Sequence, residues 1–165
     1  MWRTVIEQKT VLVCFKEGLN EIVGISMNYV TCKDDHFYES ICRQNKSENN
    51  NRMYDVFRVL FDNFDIYEHY GVDYYMNGAG LAVAQKYRGR GIGLEFLKTR
   101  KSFCNMFRIE LTSTIFTSSF SNNIADKAGF KLDKINSYEE IRIKHPHLKL
   151  PHINSDALTL KSMKF

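Results

Sequence analysis

Alternating apolar positions predict that the chain opens with a β-hairpin. Two apolar, β-rich runs, 10–15 and 21–30, flank a turn-like segment that contains Gly18. This arrangement is typical of two antiparallel strands joined by a loop of about five residues. The polar stretch that follows, 31–51, has no apolar periodicity. We expect it to form an exposed loop that carries at most part of a helix.

A stripe of apolar side chains at helical spacing predicts the first long helix. The spacing is i, i+4, i+7, i+8 and i+11, which places all of its members on one face of a helix over about 52–64. We expect this face to pack into the core. The stripe consists of Met53, Phe57, Leu60, Phe61 and Phe64.

In the second half of the chain, apolar runs typical of strands alternate with shorter helical segments. Glycines 78 and 80 interrupt the first of these strands, which predicts either a β-bulge or the close approach of a ligand to the backbone. The resulting element order, β-β-α-β-α-β-α-β-β, predicts a mixed sheet with helices on both faces. The predicted strands are 72–84, 108–116, 130–143 and 157–163, and the third of these is bent or split at 136–137. The predicted helices are 92–105 and about 121–127. The second helix is capped by Ser121 or Asn122 and ended by Gly129.

Composition narrows the class of protein. With 165 residues, 44% hydrophobic and 25% charged, the chain fits one folded domain, 1–165. A net charge of +4 is too weak to imply nucleic acid, and no apolar run approaches the length of about 20 residues that a membrane helix needs. The four cysteines lack CxxC spacing, and no export signal is visible, so we expect free thiols in the cytoplasm and no metal site.

The segment from Arg88 to Gly93 carries the strongest indication of chemistry. It reads Arg-Gly-Arg-Gly-Ile-Gly and opens a predicted helix. A helix N-terminus exposes unpaired N–H groups, glycines let a phosphate approach the backbone, and arginines add positive charge, so the segment fits a pyrophosphate. It is neither a Walker loop, since no Gly-Lys-Ser/Thr follows, nor a dinucleotide fingerprint, which would need glycine in place of Leu94. The alternative is a tight turn of purely structural importance.

The spacing Arg88-x-x-Gly91-x-Gly93 resembles the acyl-CoA signature of the GNAT superfamily of N-acetyltransferases. A strand precedes it, and a strand, a short helix and the pair Gly129-Phe130 follow it, as in that superfamily. Within the superfamily the chain looks most like the insect arylalkylamine N-acetyltransferases. The segments that carry this likeness are 64–67 (Phe-Asp-Ile-Tyr), 87–92 (Tyr-Arg-Gly-Arg-Gly-Ile) and 117–121 (Thr-Ser-Ser-Phe-Ser).

The resemblance implies a GNAT-like α/β fold with a mixed, mostly antiparallel sheet that splays between the strands 72–84 and 108–116. It further implies transfer of an acetyl group from acetyl-CoA to a small primary amine, without a nucleic-acid or membrane partner. Thr117 and Ser121 would be the two hydroxyls that assist catalysis. The residues that would bind the cofactor are Leu81, Ala82 and Val83 along the pantetheine, and Arg88, Gly89, Arg90, Gly91, Ile92 and Gly93 at the pyrophosphate.

Two departures from the superfamily pattern bear on catalysis. Ala125 stands where many members carry a tyrosine as general acid. Members also normally open with a strand and two helices that wall the amine pocket and carry a glutamate base, whereas 9 residues precede the Thr10 strand here. We therefore expect weak or absent turnover in this form, and Glu68, His69 and Asp73 as candidates for the base. The alternatives are a CoA-binding protein without catalysis and a basic nucleic-acid-binding module.

Overall fold

The computed structural model describes residues 2–35, 48–150, 153 and 155–165. In this part of the chain, six strands form one sheet in the order β1-β2-β3-β4-β6-β5. All neighbouring strands are antiparallel except β3 and β4, which run parallel. The strands are β1 (Leu12–Phe15), β2 (Ile22–Cys32), β3 (Tyr74–Val83), β4 (Leu111–Phe116), β5 (Lys131–Ser137) and β6 (Ala157–Lys164).

Helices cover both faces of this sheet, as the sequence predicts. On one face, Tyr75 and Leu111 pack in an apolar cluster with residues of α6 and of the turn after α2. On the other face, Leu97 of α4 and Ala125 of α5 pack against Phe116. The helices are α1 (Trp2–Glu7), α2 (Glu48–Arg58), α3 (Ile66–Tyr70), α4 (Ile92–Met106), α5 (Ser119–Ala128) and α6 (Tyr138–Lys144), with 3₁₀ turns at Val59–Phe61, Gln85–Tyr87 and Pro146–Leu148.

The parallel strands β3 and β4 touch only near their N-terminal ends. Their pairing consists of Met76 opposite Thr112 and Asn77 opposite Ser113. Beyond these pairs, β3 continues along β2 and β4 continues along β6, so that a gap opens between them. We call this gap the fork. It is the splay that the resemblance implies, with no strand between its two sides.

A β-bulge in β3 lies at the fork. Gly80 pairs with Met27 and Gly78 pairs with Asn28, so that Ala79 is the extra residue. A Cβ at position 78 would lie 2.7 Å from Thr114 Oγ1 and would collide with the side chain of Arg100. The glycines in this strand therefore mark a bulge and a close approach by the protein's own side chains.

The segment after β5 is the main error of the predicted elements. Residues 138–143 were expected to continue a strand, but they lie in the helix α6. Ser137 caps this helix: its Oγ accepts a hydrogen bond from Glu140 N at 3.0 Å, and its N–H donates to Glu140 Oε2 at 3.1 Å. Tyr138 and Ile141, three residues apart, face the core.

The hairpin and the strands β3, β4 and β6 agree with prediction, whereas the first helices differ in detail. Helix α1 was not predicted, and its Val5 is fully buried. The predicted helix 52–64 is α2 followed by a 3₁₀ turn, and within the predicted stripe Leu60 is buried while Met53 is exposed. Much of the expected loop, 36–47, lies outside the described residues. No described helix is long and apolar enough to span a membrane.

Candidate functional site

The loop that opens α4 has the backbone geometry of an anion site. Gly89 and Gly91 have φ angles of 76° and 82°, which residues with a Cβ atom rarely adopt. Gly91 is the N-cap of α4, and no side chain caps the helix. The first regular helical bond runs from Glu95 N to Gly91 O at 3.0 Å, so the preceding N–H groups are left for another acceptor. The space beside both glycines is open.

Two arginines at this loop are exposed and hold no carboxylate in the contacts described. Arg88 Nε donates to Val83 O at 3.0 Å. The Arg90 guanidinium carbon lies 5.3 Å from the centre of the Tyr87 ring. Both positive charges therefore stand beside the free N–H groups of α4, where an anionic group would gain from all of them.

A tether from the first hairpin fixes the turn that leads into the loop. The carboxylate of Glu21 accepts hydrogen bonds from Lys86 Nζ and, at 3.1 Å, from Tyr87 Oη. The bond from Lys86 is the main cause that holds the pKa of Glu21 below its usual value. Sequence analysis did not identify this residue, because the contact joins positions 65 and 66 residues apart and no local pattern marks it.

The peptide groups of Leu81 and Val83 face the fork. Ala84 N donates to Val23 O at 2.9 Å, which shows that residue 84 faces β2. Because peptide groups alternate along a strand, residue 82 also faces β2, whereas 81 and 83 face the opposite side. Of the three strand residues predicted to bind the cofactor, Ala82 thus directs its peptide group to β2, and Leu81 and Val83 direct theirs to the fork. The Val83 carbonyl is the acceptor of the Arg88 bond.

The first turn of α4 packs closely against β3 and α5. A Cβ at position 93 would lie 3.4 Å from Ile124 Cδ1 and 3.7 Å from Leu81 Cδ2. Gly93 thus sits between β3 and α5, and it is the contact that joins the loop to the fork. The start of α4 at Gly93 is therefore next to the edge of β3 at Leu81.

The predicted hydroxyl pair occupies the start of α5. The helix is capped by Ser118, not by Ser121 or Asn122 as predicted: Ser121 N donates to Ser118 Oγ at 3.1 Å. Ser121 Oγ accepts from Ser118 N at 3.1 Å and donates to Ser118 O at 2.9 Å. Thr117 is exposed, and its carbonyl accepts a bond from Tyr138 Oη. The Ser121 hydroxyl is therefore committed to holding the helix end.

Comparisons with known proteins identify this architecture. No family model and no curated protein matches the sequence. Among solved structures, the protein assigned as arylalkylamine N-acetyltransferase 7 of the yellow fever mosquito Aedes aegypti is 29% identical, with a TM-score of 0.86 over 99% of this chain and 67% of that chain. The Drosophila melanogaster polyamine N-acetyltransferase, which forms N-acetylagmatine, is 15% identical, with a TM-score of 0.83 over 99% and 78%. An acetyltransferase of Bacillus subtilis in complex with CoA is 8% identical, with a TM-score of 0.54 over 94% and 76%.

The chain has the fold of the GNAT superfamily of N-acetyltransferases. The fold predicted from the resemblance is thereby confirmed, including the mixed sheet and its fork. The structure also holds two features that were not predicted from the sequence, one on each face of the sheet beside the fork.

The first feature is a fully buried arginine in α4. Arg100 is 1% exposed, and its Nη1 donates to Thr114 Oγ1 at 2.5 Å. Its Nε has no hydrogen-bond partner in the described part of the chain. Desolvation lowers the pKa of Arg100 to about 10. Arg100 was not predicted as a site residue or as a core residue, although its place one turn from both Phe96 and Cys104 indicates the apolar face of the helix.

The second feature is a cluster of tyrosines on the opposite face. Asn77 Nδ2 donates to Tyr29 Oη at 3.0 Å, directly where β3 and β4 part. The Tyr67 and Tyr75 rings lie 5.3 Å apart, and burial raises the pKa of Tyr75 well above its usual value. Burial also raises the pKa of Tyr67, so that the Tyr67 and Tyr75 phenols remain protonated at neutral pH. They therefore act as hydrogen-bonding groups and not as bases.

An aromatic cleft of about 570 Å³ lies beside this cluster. Of the candidate bases, Glu68 lines it, while the His69 ring packs against those of Phe64 and Tyr70 at 5.0 and 4.7 Å. Asp73 is exposed at the start of β3. The three candidate bases thus lie in different surroundings. Of the three, Glu68 is the one that lines the cleft. The lining residues are Phe61, Asn63, Phe64, Asp65, Ile66, Tyr67, Glu68 and Tyr75.

Proposed function

We propose that the protein transfers an acetyl group from acetyl-CoA to a small primary amine of the arylalkylamine class. The proposal rests on the continuity between the uncapped N-terminus of α4, with its glycines and arginines, and the peptide groups that face the fork. An elongated ligand with an anionic middle and an amide-bearing arm matches this surface. CoA is such a ligand, and the B. subtilis acetyltransferase of the same fold binds it.

The residues that would hold the cofactor follow from the geometry. The N–H groups of residues 92–94 and the charges of Arg88 and Arg90 would bind the pyrophosphate. The peptide groups of Leu81 and Val83 would bind the pantetheine. Since Arg88 holds the Val83 carbonyl in the free protein, turning Arg88 towards a phosphate would also release that carbonyl to the fork.

The chemistry requires a neutral amine and a stabilised carbonyl oxygen. An alkylamine with a pKa of about 10.4 is neutral in about one molecule per 10³ at pH 7, which corresponds to about 4–5 kcal/mol of barrier if nothing removes the proton. Acetyl-CoA supplies the activated acetyl group. A backbone N–H of β3 at the fork would stabilise the developing oxyanion.

The aromatic cleft would bind the amine. Its rings offer faces to an aryl group or to an ammonium ion, and the carboxylate of Glu68 offers a counter-charge at its edge. Tyr75 lines the cleft and lies two residues from Asn77, where the fork begins. An amine in the cleft and a thioester in the fork would approach one another from different sides of the sheet.

Cofactor binding is tested with Gly91→Asp. An aspartate at the N-cap of α4 would turn its carboxylate onto the free N–H groups and repel the pyrophosphate, so we expect micromolar acetyl-CoA binding in the wild type and no measurable binding in the variant. Gly71→Asp is the matched control, because Gly71 also has a left-handed φ of 63° and open space around it. Calorimetry that gives equal affinities for a folded Gly91→Asp protein would refute the assignment of the loop.

Acetyl transfer is tested by amine-dependent release of CoA with dopamine, tryptamine and a polyamine. If Glu68 binds the ammonium group, Glu68→Gln raises the KM for the preferred amine tenfold or more, while Asp73→Asn leaves it unchanged. Binding of CoA without release in the presence of any amine would favour a CoA-binding protein without this activity.

A further inference from the structure

Arg100 holds a buried positive charge without a carboxylate among its described contacts. A charge withdrawn from water carries a large desolvation cost unless an opposite charge compensates it. Lys161, the other buried cation on this face, illustrates the compensated case, since its Nζ lies 2.5 Å from Asp126 Oδ1. Within the described part of the chain, Arg100 contacts threonine hydroxyls and the Phe130 ring, whose centre is 5.9 Å from its guanidinium carbon. Its charge is therefore available to a further anion.

The guanidinium lies at the point where β3 and β4 part. It binds Thr112 and Thr114 of β4, and its Nη2 is against Gly78 of β3, where any side chain would displace it. Arg100 is eight residues into α4, which is about 12 Å from the loop. From Val83 to Gly78, β3 spans about 17 Å in the same direction. A cofactor anchored at the loop and running along β3 would bring its sulfur end towards Arg100.

The Ser121 hydroxyl is not free to protonate the sulfur of CoA as a general acid. Ser121 donates its proton to Ser118 O, and Ala125, one turn further along α5, has no donor. Other titratable groups near Arg100 are Cys104, whose pKa burial raises to about 11, and the Lys161–Asp126 pair, which is already neutralised. Among the described residues of this face, Arg100 is thus the buried positive charge that no carboxylate compensates.

We propose that Arg100 stabilises the thiolate of CoA electrostatically across the fork, in place of a general acid. The inference rests on the function proposed above. In the transfer step the amine nitrogen forms a bond to the thioester carbon and the C–S bond breaks. The sulfur leaves with the electron pair as thiolate, and the proton lost by the amine goes to water. In a medium of low dielectric, a fixed cation near the sulfur favours the charged form of the thiol.

The inference predicts how CoA affinity changes with pH. If the bound thiol has a lower pKa than the free thiol, CoA binds more tightly as the pH rises towards the pKa of the free thiol. Desulfo-CoA has no thiol, so the ratio of the two affinities removes every other titration. Measured by calorimetry from pH 7 to 9.5, this ratio should rise tenfold or more in the wild type, which corresponds to a shift of at least one pKa unit.

Three variants test whether the charge of Arg100 causes the rise of the affinity ratio with pH. In Arg100→Met the affinity ratio should change less than twofold over the same range, whereas Arg100→Lys should retain part of the rise. Arg90→Met should weaken both ligands equally and leave the ratio unchanged. If Arg100→Met does not fold, Arg100→Gln replaces it.

Each result bears on one of the two proposals. A ratio that rises equally in the wild type and in Arg100→Met, or that does not rise in the wild type, overturns the role of Arg100 while cofactor binding stands. Failure of the wild type to bind either ligand refutes the proposed function itself.

Discussion

At the scale of single residues, the two buried cations described on the α4 face differ in how their charges are compensated. Lys161 is compensated by Asp126 on the neighbouring helix, whereas Arg100 is surrounded by hydroxyls, an aromatic ring and sulfur. Each hydroxyl that binds Arg100 also donates to the backbone, Thr112 to Met76 O at 2.9 Å and Thr114 to Ser113 O at 2.7 Å. Removing the guanidinium would leave both threonines with partners, so the fold does not depend on this charge for hydrogen bonding.

We therefore predict that Arg100→Met leaves the free energy of unfolding unchanged within about 1 kcal/mol or raises it, because methionine fills the space without the cost of burying a charge. Urea unfolding would measure the change. Leu97→Ala, at an equally buried position one turn earlier in α4, should lose about 2–5 kcal/mol and calibrates the experiment. A loss of more than about 3 kcal/mol in Arg100→Met would mean that the guanidinium supports the fold itself.

The sequence predicts residues with a local role better than residues whose partners are distant. Gly89 and Gly91 are identified by their spacing alone, because a left-handed turn before a helix favours glycine. Glu21 and Arg100 are missed for different reasons. The partners of Glu21 are 65 and 66 residues away, and Arg100 stands among exposed basic residues although it shares a helix face with Phe96 and Cys104.

At the scale of elements, helix caps decide where the predictions succeed and fail. The strand expected through 143 ends at Ser137, because Ser137 and Glu140 form a capping box that starts α6. Ser118 and Ser121 form a similar reciprocal pair at α5. Residues that alternate like a strand can thus begin a helix when a cap satisfies the first free N–H groups.

The capping geometry predicts a stability effect at the candidate catalytic serine. We expect Ser118→Ala and Ser121→Ala each to lower the free energy of unfolding by about 0.5–2 kcal/mol, since each removes one side of the pair. Thr117→Val, at an exposed position just before the cap, should change it by less than about 0.5 kcal/mol. Thermal unfolding of the three variants checks this.

An unchanged stability in Ser121→Ala would contradict the structural role of that hydroxyl. Any loss of acetyl transfer in this variant would then be attributable to chemistry alone. If the stability does fall as expected, activity has to be compared with that of Ser118→Ala, which disturbs the same helix end without removing the candidate hydroxyl.

At the scale of the whole molecule, the fork is the feature that joins fold to function. Leaving β3 and β4 paired over only two residues on each strand exposes peptide groups that a continuous sheet would satisfy. The α4 loop, the edge of β3 and α5 meet beside this gap. The family resemblance and the glycine-interrupted strand predict the gap, but only the assembled sheet shows that Arg100 and the tyrosine cluster lie on its two faces.

Hydrogen exchange provides a test of the fork that does not depend on activity. In the free protein, the amides of Leu81 and Val83 face the gap and should exchange with solvent faster than that of Ala84, which is bonded to Val23. Acetyl-CoA should slow Leu81 and Val83 by tenfold or more and leave Ala84 unchanged, because the cofactor would supply the missing acceptors only on the fork side. NMR exchange rates with and without the ligand would resolve the three amides.

In Gly91→Asp, acetyl-CoA should protect neither Leu81 nor Val83, since the anchor at the loop is lost. Equal slowing of all three amides in the wild type would instead indicate general stabilisation by binding elsewhere, and would contradict a pantetheine site along β3.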